Sequence, residues 1–201
     1  MGSILTYNGG LTAEKFLFYE IRIVAKLYAE GKSVEEIVSI VKRDNLFQYP
    51  TEREIGRMAR ACVKRLDTLC SDRLVYELMN APLEVAKQIN LYAMMRSNRL
   101  VREFMINLVG EKLRQQDYSY TRKDINVFFS HLAEQNDEIA GWSDNTIKKL
   151  KQVLNKCLIE TEMIGGVRDT ALNPILISQE LERGIREAGD TGALAAFNCF
   201  K

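Results

Sequence analysis

The chain has 201 residues, enough for one domain of ordinary size or two small ones that share a core. Hydrophobic residues make up 46% and charged residues 27%, which is a globular composition and excludes a disordered chain. The 28 Lys and Arg residues oppose 27 Asp and Glu residues, and the resulting net charge of +1 excludes a uniformly basic polypeptide. The net charge does not exclude an anionic partner, because whole-chain charge does not reveal how charges are distributed over the surface.

Two negative features of the sequence favour a cytoplasmic protein without a membrane partner. No apolar run approaches the roughly 20 residues that a spanning helix needs, and the N-terminus lacks the pattern of a signal peptide.

The single histidine, His131, cannot build a His-rich metal site, and the cysteines form no C-x-x-C pair. We therefore expect free thiols, no metal and no other cofactor, with the cysteines at positions 62, 70, 157 and 199.

Capping residues and apolar spacing predict helices along the whole chain. The first of them is apolar almost all round, so we expect it to be central and buried. Residues 167–177 are predicted to form a small wing or two short strands. One longer helix is the alternative to the break near residues 97–98. The helices are predicted over residues 12–30, 33–43, 51–69, 72–79, 82–95, 98–116, 121–135, 137–142, 143–162, 179–187 and 192–197.

The pattern predicts an all-α, multi-helix globular protein with helix-turn-helix-like units. We expect an N-terminal unit over residues 1–70, central helices over 71–117 and a winged-helix-like unit over 118–201. In the N-terminal unit, a short capped helix, a connector and a longer capped helix follow one another as in a helix-turn-helix. Because the connector exceeds the usual length of about three or four residues, the unit would be a variant.

The longer helix of the N-terminal unit carries a stripe of cations opposite its apolar face. At 100° per residue, the four cations fall within an arc of about 60°. Like charges four residues apart disfavour a helix by about 0.2–0.5 kcal/mol per pair, so a merely solvated face would gain from alternating signs. The stripe favours contact with nucleic-acid phosphates over an ordinary solvated face, and it consists of Arg53, Arg57, Arg60 and Lys64.

A second helix, opened by Ser143, repeats this arrangement. Lys can neutralise phosphates, while Asn and Gln can also bond base edges in a major groove. A solvated face is the alternative interpretation. On this helix, the residues that lie opposite the apolar face are Asn145, Lys148, Lys149, Gln152, Asn155 and Lys156.

No catalytic motif accompanies these basic helices. Gly31-Lys32-Ser33 resembles the end of a P-loop, but position 26 is Lys where that loop needs Gly, and a helix precedes it where a strand is required. The sequence contains no motif that would pair the single histidine with a nucleophile for covalent catalysis. We therefore expect a protein that is not an enzyme.

Several blocks of the sequence resemble the BrxA family, a small component of the BREX bacteriophage-exclusion systems of bacteria. The blocks are YNGGLT at 7–12, FLFYE at 16–20, NLFQY at 45–49, INLYAMM at 89–95 and WSDNTIKKL at 142–150. The resemblance covers nearly the whole chain and implies a helical, non-enzymatic accessory of a phage-defence system. It implies no particular binding residue.

Together these observations predict a double-stranded-DNA-binding component of a BREX system, with other BREX proteins as partners and without a small-molecule substrate. One alternative is an RNA-binding module similar to NusB, to which the family has been compared. Another is a protein–protein adaptor that uses the Met-rich middle helices as its surface. For both basic helices, the sequence leaves open whether they face the same side.

Overall fold

Eleven α-helices follow one another along the part of the chain that the computed structural model describes, residues 6–7 and 9–200. No strand is assigned among these residues, so the predicted all-α fold is confirmed. A 3-10 helix at Gly9–Thr12 precedes α1, a π-helix at Phe104–Gly110 joins α6 to α7, and a 3-10 helix at Thr191–Phe197 follows α11. The α-helices are α1 Phe18–Ala29, α2 Val34–Arg43, α3 Glu52–Leu69, α4 Asp72–Asn80, α5 Leu83–Ser97, α6 Arg99–Glu103, α7 Glu111–Arg114, α8 Arg122–Gln135, α9 Asp137–Ala140, α10 Asp144–Glu160 and α11 Gln179–Glu187.

Local capping accounts for most helix starts. The predicted capping box at Ser33 is complete, since its hydroxyl accepts from the Glu36 N–H and the Glu36 carboxylate accepts from the Ser33 N–H. At Thr51 only half of the predicted box forms, because the hydroxyl accepts from the Glu54 N–H without a return bond. Asn98 caps α6 with its side-chain oxygen and separates α6 from α5.

The predicted start of the first helix is wrong. Thr12 ends a 3-10 turn, and α1 begins only at Phe18, after Leu17 adopts a left-handed conformation with φ +52°. The cause is Arg65 of α3, whose buried guanidinium holds the intervening main chain away from helical geometry. It donates to three successive carbonyl oxygens, those of Glu14 at 2.5 Å, Lys15 at 2.7 Å and Phe16 at 2.8 Å.

The central helix is α5 and not α1, so that expectation is also wrong. Tyr19 of α1 is 56% exposed, whereas every residue from Gln88 to Met95 in α5 is buried. Five other helices contact α5, namely α1, α3, α4, α6 and α11. The buried apolar residues form one contiguous cluster that draws on all three predicted units.

The segment predicted as a wing is a loop that main-chain hydrogen bonds attach to the residues before α8. Two main-chain bonds form an isolated antiparallel bridge, from the Tyr120 N–H to the Thr170 carbonyl at 2.8 Å and from the Leu172 N–H to the Tyr118 carbonyl at 2.7 Å. The bridge does not extend into strands within the described residues. Its two bonds attach this loop to the segment just before α8.

None of the described helices has the length and apolar character needed to cross a bilayer.

Replacing Arg65 with Met should lower the free energy of unfolding by about 2–4 kcal/mol, because three carbonyl oxygens lose their donor in a buried setting. Urea denaturation followed by circular dichroism measures the loss. Arg73→Met, at an exposed position of α4, is the control and should change stability by less than about 0.5 kcal/mol. Equal stabilities for the two variants would contradict the anchoring role of Arg65.

Candidate nucleic-acid interface

Helix α3 places the four predicted cations along one shallow groove of about 410 Å³. All four side chains are exposed, whereas Ile55, Met58, Cys62 and Leu66 on the opposite side of the helix are buried. The structure therefore brings the predicted stripe together on one surface, named here the α3 groove. Its lining consists of Glu14, Arg53, Arg57, Arg60, Ala61 and Lys64.

The cations of the α3 groove have no carboxylate partner. Within the described part of the chain, no Asp or Glu oxygen lies within 4.0 Å of these four side chains. The hydrogen bond from Arg60 Nη1 to the Gly56 carbonyl is internal to α3. Glu14, the single acidic residue of the lining, is half-buried at its edge. The groove thus concentrates positive charge that no internal ion pair neutralises.

A fifth cation, Lys42 of α2, lies against α3 beside this groove. A Cβ atom at Gly56 would stand 2.7 Å from Lys42 Cε and 3.4 Å from Arg60 Nη1, so the glycine leaves room for the lysine to cross the helix. Sequence reasoning missed Lys42, because helical spacing relates residues of one helix and not of two. The mid-helix glycine was the available signal, since such a glycine often marks a close approach.

The predicted residues of α10 are not all brought together. Lys148, Gln152 and Asn155 line a cleft. Asn145 and Lys149 are exposed outside it. Lys156 also lies outside the cleft, and its amine is 2.8 Å from the Glu160 carboxylate, so its charge is partly neutralised.

Asn155 was predicted to face outward with these residues, and that prediction is wrong. Its side chain is half-buried, and its Oδ1 accepts a 2.5 Å hydrogen bond from the Tyr120 hydroxyl. Burial raises the pKa of Tyr120, so the hydroxyl stays protonated and donates. Asn155 therefore ties α10 to the segment that precedes α8.

The cleft beside α10, named here the α8–α10 cleft, has a volume of about 730 Å³. The start of α8, one side of α10 and the loop 164–170 form its walls. Its cations are Arg122, Lys148, Lys151 and Arg168, and its carboxylates are Asp144 and Asp169. Sequence reasoning missed Arg168, because it comes from a loop that only the tertiary fold places beside α10.

Lys151 is the most enclosed of these cations. Its amine donates to Asn126 Oδ1 at 2.7 Å and lies 5.2 Å from the centre of the Phe129 ring. Burial lowers the pKa of Lys151, since no carboxylate offsets the loss of solvation. The side chain thus brings a positive charge to the apolar side of the cleft.

The α3 groove and the α8–α10 cleft are separate surfaces with no lining residue in common. The 3-10 helix Gly9–Thr12 contacts α10, and a Cβ atom at Gly9 would lie 3.9 Å from Thr146 Cγ2. From there the chain reaches Glu14 in the α3 groove. The N-terminal segment therefore extends from one basic surface to the other. Asn8, part of the first block of family resemblance, lies outside the described residues.

The Met-rich middle helices do not present the surface that an adaptor was expected to use. Met94 and Met105 are 1% and 0% exposed, and Met95 is 0% exposed. These side chains are part of the core, so the adaptor interpretation loses its candidate site.

Comparison with known proteins identifies similar chains over most of the sequence. The BrxA family model matches residues 5–189. "BREX protein BrxA" of Bacillus cereus (strain H3081.97) is 30% identical over 185 residues, which cover 92% of each chain. The protein of the same name from Escherichia coli O9:H4 (strain HS) is 22% identical over 182 residues, covering 90% of this chain and 84% of that one.

A solved structure is similar in fold. The crystal structure of an uncharacterised protein from Magnetospirillum magneticum matches with a TM-score of 0.82, covering 95% of this chain and 97% of that one. At 20% sequence identity, this match supports the fold alone.

Replacing Tyr120 with Phe should lower the free energy of unfolding by about 1 kcal/mol, because the half-buried Asn155 oxygen loses its donor. Tyr118→Phe is the matched control, since Tyr118 lies two residues away and is 44% exposed. Urea denaturation of both variants measures the difference. A Tyr120→Phe variant as stable as Tyr118→Phe would mean that the bond to Asn155 does not hold α10 in place.

Proposed function

This chain belongs to the BrxA family and is a component of a BREX phage-defence system, and we propose that it acts there by binding double-stranded DNA without catalysing a reaction. The observation that carries this proposal is the α3 groove, where four exposed cations lie together without a carboxylate partner in the part of the chain that the structure describes. Such a cluster is suited to a polyanion, because each phosphate contact releases a condensed counterion from the nucleic acid.

The dimensions of the α3 groove fit a duplex backbone. From Arg53 to Lys64 the helix rises about 16 Å at 1.5 Å per residue, which is close to half of the roughly 34 Å turn of B-DNA. The exposed residues of α10 supply a second contact, in which Lys148 and Lys149 neutralise phosphates and the Asn145 and Gln152 amides can bond base edges. Binding would thus rest mainly on phosphates, with other BREX proteins as partners in the system.

Changing Arg53, Arg57, Arg60 and Lys64 together to Ala should weaken binding of a 20-base-pair duplex by at least about 100-fold at low salt. The slope of log affinity against log salt concentration should fall by about 3–4, since roughly 0.9 counterion is released per phosphate contact. Fluorescence anisotropy with a labelled duplex measures both quantities. Helical circular dichroism should be unchanged, because the substituted side chains are exposed.

The matched control removes the same number of exposed cations elsewhere, none of which lines the α3 groove or the α8–α10 cleft or forms an ion pair among the described residues. These positions are Lys26, Arg73, Lys123 and Arg183. If both quadruple variants lose affinity equally, net charge and not the α3 groove drives binding. Displacement of the duplex by excess single-stranded RNA would favour the RNA-binding alternative.

Replacing Glu14 with Gln should tighten duplex binding by about two- to fivefold at low salt, because it removes the single negative charge from the α3 groove. The gain should shrink as salt is added, since screening weakens repulsion between exposed charges. Glu84→Gln, at an exposed position outside this groove, is the control with the same charge change. Equal gains for both variants would show that Glu14 does not act locally.

A further inference from the structure

The α8–α10 cleft differs in character from the α3 groove, because it combines cations with an apolar floor. Ile125, Ile164 and the Tyr120 ring are 3%, 2% and 5% exposed and form the inner wall, with the half-buried Ile147 beside them. Duplex phosphates gain nothing from such a surface, since they require only charge and hydrogen-bond donors. An apolar floor beneath cations instead suits a ligand with a flat, weakly polar body and a negative charge.

The rim of the cleft carries cations from three different elements. Arg122 comes from the start of α8, Lys148 from α10 and Arg168 from the loop 164–170. None of these side chains forms a salt bridge within the described residues, so their charges are available to an anion. A guanidinium binds phosphate oxygens with two parallel hydrogen bonds, so the two arginines suit a phosphate better than a monatomic anion such as chloride.

The cleft also contains groups that can bond a heterocyclic ring. The Gln152 side chain is exposed and makes no hydrogen bond within the described residues, and its amide offers both a donor and an acceptor. Asp144 adds an exposed carboxylate acceptor on the same helix. Both lie on α10, whose Ile147 belongs to the apolar floor. A base resting on this floor would therefore have polar partners at its edge.

We propose that the α8–α10 cleft binds a single nucleoside monophosphate unit, with the base on the apolar floor and the phosphate between Arg122 and Arg168. The volume of about 730 Å³ falls within the range of about 300–1,000 Å³ that small-molecule sites occupy. The unit has two sources with the same chemistry, a free nucleotide or an unpaired nucleotide at the end of a DNA strand. The site shares Lys148 and Gln152 with the second duplex contact of the proposed function, whereas no residue of the α3 groove lines it.

Titration calorimetry of the full chain with each of the four deoxynucleoside 5′-monophosphates tests the proposal. At least one nucleotide should bind saturably to one site, and inorganic phosphate should bind at least tenfold more weakly, because it lacks the base. Arg122→Ala and Arg168→Ala should each weaken nucleotide binding at least fivefold. Lys123→Ala is the matched control, since Lys123 is the exposed neighbour of Arg122 but lies outside the cleft, and it should leave affinity within twofold.

Two DNA probes identify the source of the nucleotide. A duplex with one unpaired terminal nucleotide is compared with the same duplex with blunt ends, using wild type and Arg168→Ala. A preference for the unpaired end that Arg168→Ala abolishes supports a strand nucleotide. Nucleotide binding without any preference between the duplexes supports a free nucleotide.

The proposal is overturned if no monophosphate binds and neither duplex is preferred, if inorganic phosphate binds as tightly as the nucleotides, or if Lys123→Ala weakens binding as much as Arg122→Ala. The α3 quadruple variant separates this test from that of the proposed function. It should lose duplex affinity while keeping nucleotide affinity, because its substituted residues do not line the cleft.

Discussion

The guanidinium of Arg65 is the interaction on which the N-terminal architecture depends. It is 3% exposed, and its hydrogen-bond partners are neutral main-chain carbonyls of residues 14–16, although burying a charge without partners is strongly unfavourable. The chain must therefore keep those carbonyls in place. This requirement delays α1 until Phe18 and sets Leu17 in a left-handed conformation. Asn90 of α5 donates to the Phe16 carbonyl at 2.7 Å, so the anchored segment also joins α3 to the central helix.

The two sides of α3 use the same residue type in opposite ways. Arg65 is buried and donates to three main-chain carbonyls, whereas Arg53 and Arg57 are exposed and without carboxylate partners among the described residues. The acidic residues that balance the chain's charge serve elsewhere, as Glu36 does in the cap of α2 and Asp190 in its ion pair with Arg102. A net charge of +1 is thus compatible with concentrated positive surfaces, since anions and cations are separated in space.

Elements governed by local chemistry were the most predictable. The end of α3 at Leu69 and the break at Asn98 follow from caps and periodicity, and the cation stripe follows from the spacing of residues in one helix. The start of α1 was not predictable, because its determinant lies 49 to 51 residues away in Arg65. The α10 face was predicted only in part, since Asn155 is withdrawn by a bond to Tyr120, 35 residues earlier.

By itself, the sequence determined the all-α class, most helix boundaries, the family resemblance and the cations of the α3 groove, because these depend on periodicity, capping and contiguous blocks of residues. The tertiary structure alone decided which helix is central, where α1 begins and that the methionines are buried. It also placed Arg122 and Arg168 beside α10. Arg122 comes from the start of α8 and Arg168 from a loop, so helical spacing does not connect them to α10. Such choices rest on contacts between residues far apart in the chain, and helical spacing carries no information about them.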